Sequence, residues 1–145
     1  VFFADSFLTP FTAFLTTLGV VIAAWGGVML ADIALRRKDY DEPSLFTPTG
    51  RYGSVNWGAV ASLIVGSLVG WGLVVNASAS WLSWQGYLLG PLGGREGDWA
   101  GANIGILLAM VVGFVGYWAT SVGRVREQEK MPSRTYAQGA DEDER

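Results

Sequence analysis

Apolar and polar residues along this chain fall in long blocks rather than in short alternations. From Phe7 to Ala31 there are 25 consecutive uncharged residues. As a helix rising ~1.5 Å per residue, such a run is about 38 Å long, enough to cross a hydrocarbon core of about 30 Å with some tilt. It meets Asp32 and closes on Arg36, Arg37 and Lys38. A second block lies in the charge-free stretch between Arg51 and Arg95, and a third runs from Ala102 to Val122. The pattern predicts an all-α integral membrane chain with three transmembrane helices at 7–35, 55–75 and 102–122. The parts between are a lead-in at 1–6, polar loops at 36–54 and 76–101, and a tail at 123–145 expected to be disordered beyond its first turn or two.

Within the first span, Pro10 is expected in the opening turn, where a missing N–H costs least. Thr9, Thr12, Thr16 and Thr17 can return hydroxyl hydrogen bonds to the preceding turn. Gly19 and the pair Gly26-Gly27 remove side chains from the middle, either for close packing or for a bend. Asp32 precedes Arg36 and Arg37 by four and five residues, which puts acid and base on one helical face near the interface. An ion pair or cap is one reading of it, and a proton or cation site is the other. In the second span Gly58, Ser62, Gly66 and Gly70 recur every four residues, forming a small-residue stripe for packing against another helix. Trp81, Trp84, Tyr87, Leu88 and Leu89 are spaced for one face of a short interfacial helix ended by Gly90-Pro91. Asp39, Asp41 and Glu42 lack the glycine of a calcium loop and read as a solvated turn. Asn76-Ala77-Ser78 matches a glycosylation sequon.

Composition narrows the chemistry. Half the residues are hydrophobic, 16% are charged, and 20 are glycine, as suits closely packed membrane helices. With no cysteine and no histidine there is neither a thiolate or imidazole metal site nor the commonest general base. No nucleophile–base pair, metal cluster or phosphate loop is present, so the reading is a non-enzyme with no catalytic residues, no metal and no nucleic-acid partner. Nine of the ten Lys and Arg lie in the first loop and the tail, against Arg95 alone in the other loop. By the positive-inside rule the first loop and tail are cytoplasmic, residues 1–6 and 76–101 are extracellular, and the location is the inner (plasma) membrane. A first span running inward without a signal peptide suggests that further spans precede it.

Several residues carry a family resemblance. Gly26-Gly27-Val28-Met29-Leu30-Ala31-Asp32 is followed by Arg36-Arg37, Tyr40-Asp41, Leu45-Phe46, Gly50-Arg51-Tyr52-Gly53 and Val55-Asn56-Trp57. This arrangement resembles the carboxy-terminal part of the nucleobase:cation symporter-1 family, the cytosine, purine, allantoin and hydantoin permeases. Ala102-Asn103-Ile104-Gly105 and the stretch from Arg124 to Glu129 are similar to the ends of cytosine permease-like members. Where members often carry a proline ahead of the glycine pair, this chain has Ala23-Ala24-Trp25.

The resemblance implies a twelve-span transporter built on inverted repeats, of which these would be the last three helices. Substrate and coupling-ion contacts would lie on helices outside this chain, so no substrate-binding residue is expected here. No cofactor is expected beyond a coupling sodium ion or proton in the parent. The partners would be the lipid bilayer, the parent's remaining helices and a nucleobase substrate. The first span would act as a gating helix bending between Gly19 and Gly27, with Asp32, Arg36 and Arg37 fixing its cytoplasmic end, and the other two as accessory helices. The alternatives are a permease for allantoin, hydantoin, uracil or a thiamine precursor, and a self-contained three-span scaffold subunit that binds partners through the Gly58–Gly70 stripe.

Overall fold

The computed structural model describes residues 2–38, 40, 46, 52, 55–76, 79–97 and 99–131. Among these residues there are three α-helices and no strand: α1 (Phe2–Leu35), α2 (Trp57–Gly72) and α3 (Ile104–Lys130). Three single 3₁₀ turns, Ser80–Leu82, Gly90–Leu92 and Ala100–Ala102, punctuate the connection from α2 to α3.

The helices depart from the sequence expectation at their ends. α1 begins at Phe2 rather than Phe7, so most of the expected lead-in is helical and Pro10 sits two turns inside the helix. α2 spans only 16 residues, about 24 Å, because the chain leaves the helix at Leu73. Asn56 starts it, its side chain accepting the Ala59 N–H at 3.3 Å. α3 continues eight residues past Val122, to Lys130, about 40 Å in all. Its last two turns, the first two of the expected tail, are held by Gln128 against Arg36 and by Glu129 against Arg37, at the end of α1.

The expected interfacial helix is replaced by 3₁₀ turns on either side of Gly86, whose φ of +80° no regular helix permits. This connection folds back onto the end of α2. Gly86 N–H donates to Trp71 O at 2.9 Å, Leu88 N–H to Gly72 O at 2.8 Å, and the Tyr87 hydroxyl to Leu68 O. Orphan carbonyls of the last α2 turns are thereby satisfied. Leu82, Gln85 and Leu89 are buried beneath it, and Trp71 meets Trp84 edge-on.

α1 and α3 run parallel, and α2 runs antiparallel to both. Along α1, Ala24 meets Gly113, Ala31 meets Tyr117 and Arg36 meets Gln128, with both numbers rising together. Along α2, Gly58 meets Thr120 and Ser121, Ser62 meets Gly116, Gly66 meets Ala109, and Gly70 meets Gly105. The packing is backbone-close: a Cβ at Gly66 would come within 2.9 Å of the Ala109 carbonyl, and one at Gly27 or Gly113 would overlap the facing helix's carbonyl. Small residues therefore set the interhelical distance, as in membrane helix pairs. Three apolar clusters line α1 in succession: Ala13 with Ala79 and Leu82, then Val20 and Ala24 with Val74 and Ala109, then Val28 and Ala31 with Tyr117.

The outer surface is as apolar as the interior. Phe11, Phe14, Leu18, Ile22, Trp25 and Met29 on α1 are exposed, as are Leu107, Val111, Val115 and Trp118 on α3. In the most apolar windows of α1 and α3 only 22% and 28% of residues are buried. A soluble core helix of that composition would be buried nearly all round, whereas lipid solvates such a surface.

Candidate functional site

The densest polar cluster lies where the C-terminal end of α1, the start of α2 and the last turns of α3 converge. Asp32 and Arg36 are one helical turn apart, which lets the guanidinium lie along the carboxylate. Nε reaches Oδ2 at 2.8 Å and Nη2 reaches Oδ1 at 3.1 Å. The Tyr117 hydroxyl of α3 donates to Oδ1, and the Tyr40 hydroxyl donates to Oδ2 at 2.5 Å. Four donors match the roughly four acceptor positions of a carboxylate. Arg36 also donates to Gln128 Oε1 at 3.3 Å, and its guanidinium stands 4.7 Å from the Tyr40 ring and 5.1 Å from the Tyr52 ring. Asn56 closes the cluster from α2, its Nδ2 donating to the Tyr117 hydroxyl at 3.3 Å. Burial, then the hydrogen bond to Asp32, push the Tyr40 phenol above its ordinary value.

These groups border a cleft of about 340 Å³ whose wall includes Trp25 and Arg124. Arg124 donates to the Tyr52 carbonyl at 2.8 Å. With both oxygens of Asp32 fully engaged, the geometry is that of an anchor joining three helices.

Arg37 stands apart from the Asp32 pair. Its backbone N–H donates to Glu129 Oε1 at 2.5 Å, as does that of Lys38 at 3.2 Å, so α3 binds the chain leaving α1 by a second route.

A smaller set of hydrogen bonds ties the other half of α1 to the connection after α2. Trp71 Nε1 donates to Thr17 O at 3.0 Å, Asn76 Nδ2 to Ala13 O at 2.8 Å, and Gln85 Nε2 to Thr17 Oγ1 at 3.0 Å. Thr16 and Thr17 bond back to the carbonyls of Thr12 and Ala13. Asn76, the sequon asparagine, is thus committed to α1.

The three glycines singled out as a gate separate. Gly27 is buried against Met110 and Phe114 of α3, whereas a Cβ at Gly19 or Gly26 would meet nothing within 4 Å. α1 runs through all three as one uninterrupted helix. The Gly58–Gly70 stripe faces α3 along its length and is used up inside the bundle, so it is not a surface for an outside partner. Asp39, Asp41 and Glu42, with Gly50, Arg51 and Gly53 of the resemblance motif, lie outside the described residues.

Sequence reasoning did not assign Tyr117, Gln128, Asn56 or Tyr40 to this cluster. A tyrosine within a charge-free helix signals a buried hydroxyl in need of a partner, and Tyr40 and Asn56 stood in the resemblance motif. Gln128 carried no local signal.

Long apolar helices joined by glycine contacts, with lipid-facing outer surfaces and polar groups gathered at one end, define a helical membrane protein. The family model for permeases of cytosine/purines, uracil, thiamine and allantoin matches residues 3–90. The chain belongs to that family, which is one of transporters rather than enzymes. The matched segment takes in α1, α2 and the fold-back connection, and α3 follows it. No curated protein and no solved structure gives a match.

Proposed function

We propose that this chain forms the last three helices of a cation-coupled symporter that carries a nucleobase such as cytosine or a purine into the cell. The coupling ion would be sodium or a proton, bound with the substrate on helices outside this chain, in an inverted-repeat core in the plasma membrane. α1 is the gating element, and α2 and α3 are accessory supports. The observation that carries this assignment is the two-sidedness of α1. Val20, Ala24 and Gly27 hold one side against α2 and α3, while Gly19 and Gly26 face outward with open space beside them. That open side is where the parent's substrate-bearing helices would pack and slide.

The hydrogen bonds at Ala13 and Thr17 refine the gate. The outer half of α1 is bonded to Trp71, Asn76 and Gln85, so it moves together with the connection after α2 or releases these bonds as it bends. The Asp32 cluster holds the inner end still. Asp32, Arg36 and the basic first loop lie on the cytoplasmic side in this arrangement.

The test is uptake of radiolabelled cytosine and purines by cells expressing the full-length protein. A Cβ at Gly19 or Gly26 meets nothing within 4 Å, so leucine at both positions is directed at the open face rather than at the contacts with α2 and α3. The double variant should slow uptake several-fold while equilibrium substrate binding changes little. Uptake equal to wild type would refute a gate at this face.

A further inference from the structure

Between the inner ends of α1 and α3 lies a groove of about 470 Å³. Arg37, Lys38, Arg126 and Lys130 bring four cationic side chains to it, over a floor that includes Leu35 and Trp118. The one carboxylate lining it, Glu129, already accepts the backbone N–H groups of Arg37 and Lys38. Lys38 Nζ donates to the Glu129 carbonyl at 2.9 Å. Among the described residues, no carboxylate holds the side chains of Arg37, Arg126 or Lys130, and Glu127 lies outside the groove. The result is a preformed pocket with three cationic heads left for something else.

What surrounds the pocket identifies the occupant. Trp118 is half-exposed at its apolar edge, and from there Val115, Val111 and Leu107 continue along the outer surface of α3 on successive turns. A ligand seated here therefore meets cations at one end and a lipid-facing apolar track at the other. We infer that the groove is a headgroup site for an anionic phospholipid. The phosphate and its net charge would sit among Arg37, Arg126 and Lys130, and an acyl chain would lie along Trp118, Val115 and Val111. A phosphocholine headgroup brings its own cation and is disfavoured, whereas a phosphatidylglycerol headgroup is not. The inference rests on the membrane placement of α3 and not on the identity of any transported substrate. A failed lipid experiment would leave the permease proposal standing, and a failed uptake experiment would leave this one.

The test uses the full-length protein in phosphatidylcholine vesicles containing a small fraction of brominated phosphatidylglycerol or, separately, brominated phosphatidylcholine. Bromine quenches nearby tryptophan, and the signal of Trp118 is read as the difference between wild type and Trp118→Phe. Brominated phosphatidylglycerol should quench Trp118 at far lower mole fraction than brominated phosphatidylcholine. Each basic group near the surface is worth about fivefold in anionic lipid affinity, so R126A/K130A should cut the preference about 25-fold, and R126K/K130R should keep it. Equal quenching by the two lipids in wild type would overturn the site whatever the variant does. So would an unchanged preference in a folded R126A/K130A protein. Displacement of the brominated phosphatidylglycerol by millimolar inorganic phosphate would make free phosphate the ligand and would overturn it as well.

Discussion

Replacing Asp32 by asparagine removes one charge and little volume from the point where three helices meet. The Asp32 and Arg36 side chains are 16% and 12% exposed, so the pair is mostly out of water. Removing one partner of a buried pair costs about 3–5 kcal/mol, chiefly from the charge left behind. Two features moderate this. Arg36 keeps Gln128 and the faces of Tyr40 and Tyr52, and the amide keeps one acceptor oxygen. The loss should be about 3 kcal/mol, read as a lower unfolding temperature. Tyr117→Phe leaves the ion pair in place but removes the hydrogen bond to the carboxylate and the acceptor of Asn56 Nδ2, and should cost about 2 kcal/mol. The decisive variant is D32N/R36Q, which removes both charges. It should be about 2 kcal/mol more stable than the sum of the two single losses implies, because no unpaired charge remains. The assay is thermal unfolding of the full-length protein in detergent, followed by tryptophan fluorescence, for which Trp25 in the cleft wall is a local reporter. Strict additivity of D32N and R36Q, or a D32N protein as stable as wild type, would refute the anchor.

Other expectations follow from the same contacts. Alanine at Gly27 or Gly113 would drive a Cβ into the facing helix's carbonyl and should cost about 1–3 kcal/mol, whereas alanine at Gly19 or Gly26 meets nothing in these three helices and should cost less. Equal unfolding temperatures across the four variants would contradict the packing. Among the described residues Gln85 Oε1 is buried without a hydrogen-bond partner, so Gln85→Leu exchanges the bond to Thr17 for relief of that acceptor and should change stability by less than about 1 kcal/mol. A loss of about 3 kcal/mol or more in the same unfolding assay would mean that the amide does more than this. The raised Tyr40 phenol means that the fold favours its neutral form. That stabilisation is complete below the ordinary phenol value of about 10 and is lost as pH rises through the higher folded value. The unfolding temperature followed against pH should therefore fall less steeply on the alkaline side in Tyr40→Phe than in wild type.

How far the sequence foretold all this depends on the range of the interaction. The charge-free blocks gave α1 and α3, and the four-residue spacing gave the Asp32–Arg36 pair and the α2 stripe, because each is written within a few consecutive turns. Tyr117 and Gln128 are 85 and 92 residues from their partners Asp32 and Arg36, and no local period reveals such a meeting. The stripe's destination was equally hidden, since Gly105, Ala109, Gly113 and Gly116 could be matched to it only once the antiparallel register was known. The tryptophans after α2 misled because their spacing imitates a helix, while Gly86 turns the chain back onto Trp71 and Gly72.

That fold-back also bears on how the chain is built during synthesis. α2 is too short to span a membrane comfortably, and the carbonyls of Trp71 and Gly72 are answered by amides of residues 86 and 88, which leave the ribosome more than a dozen residues later. The helix is finished by chain that does not yet exist when its own last turn emerges. The C-terminal end of α2 is therefore provisional until the following connection has been made and has closed over it.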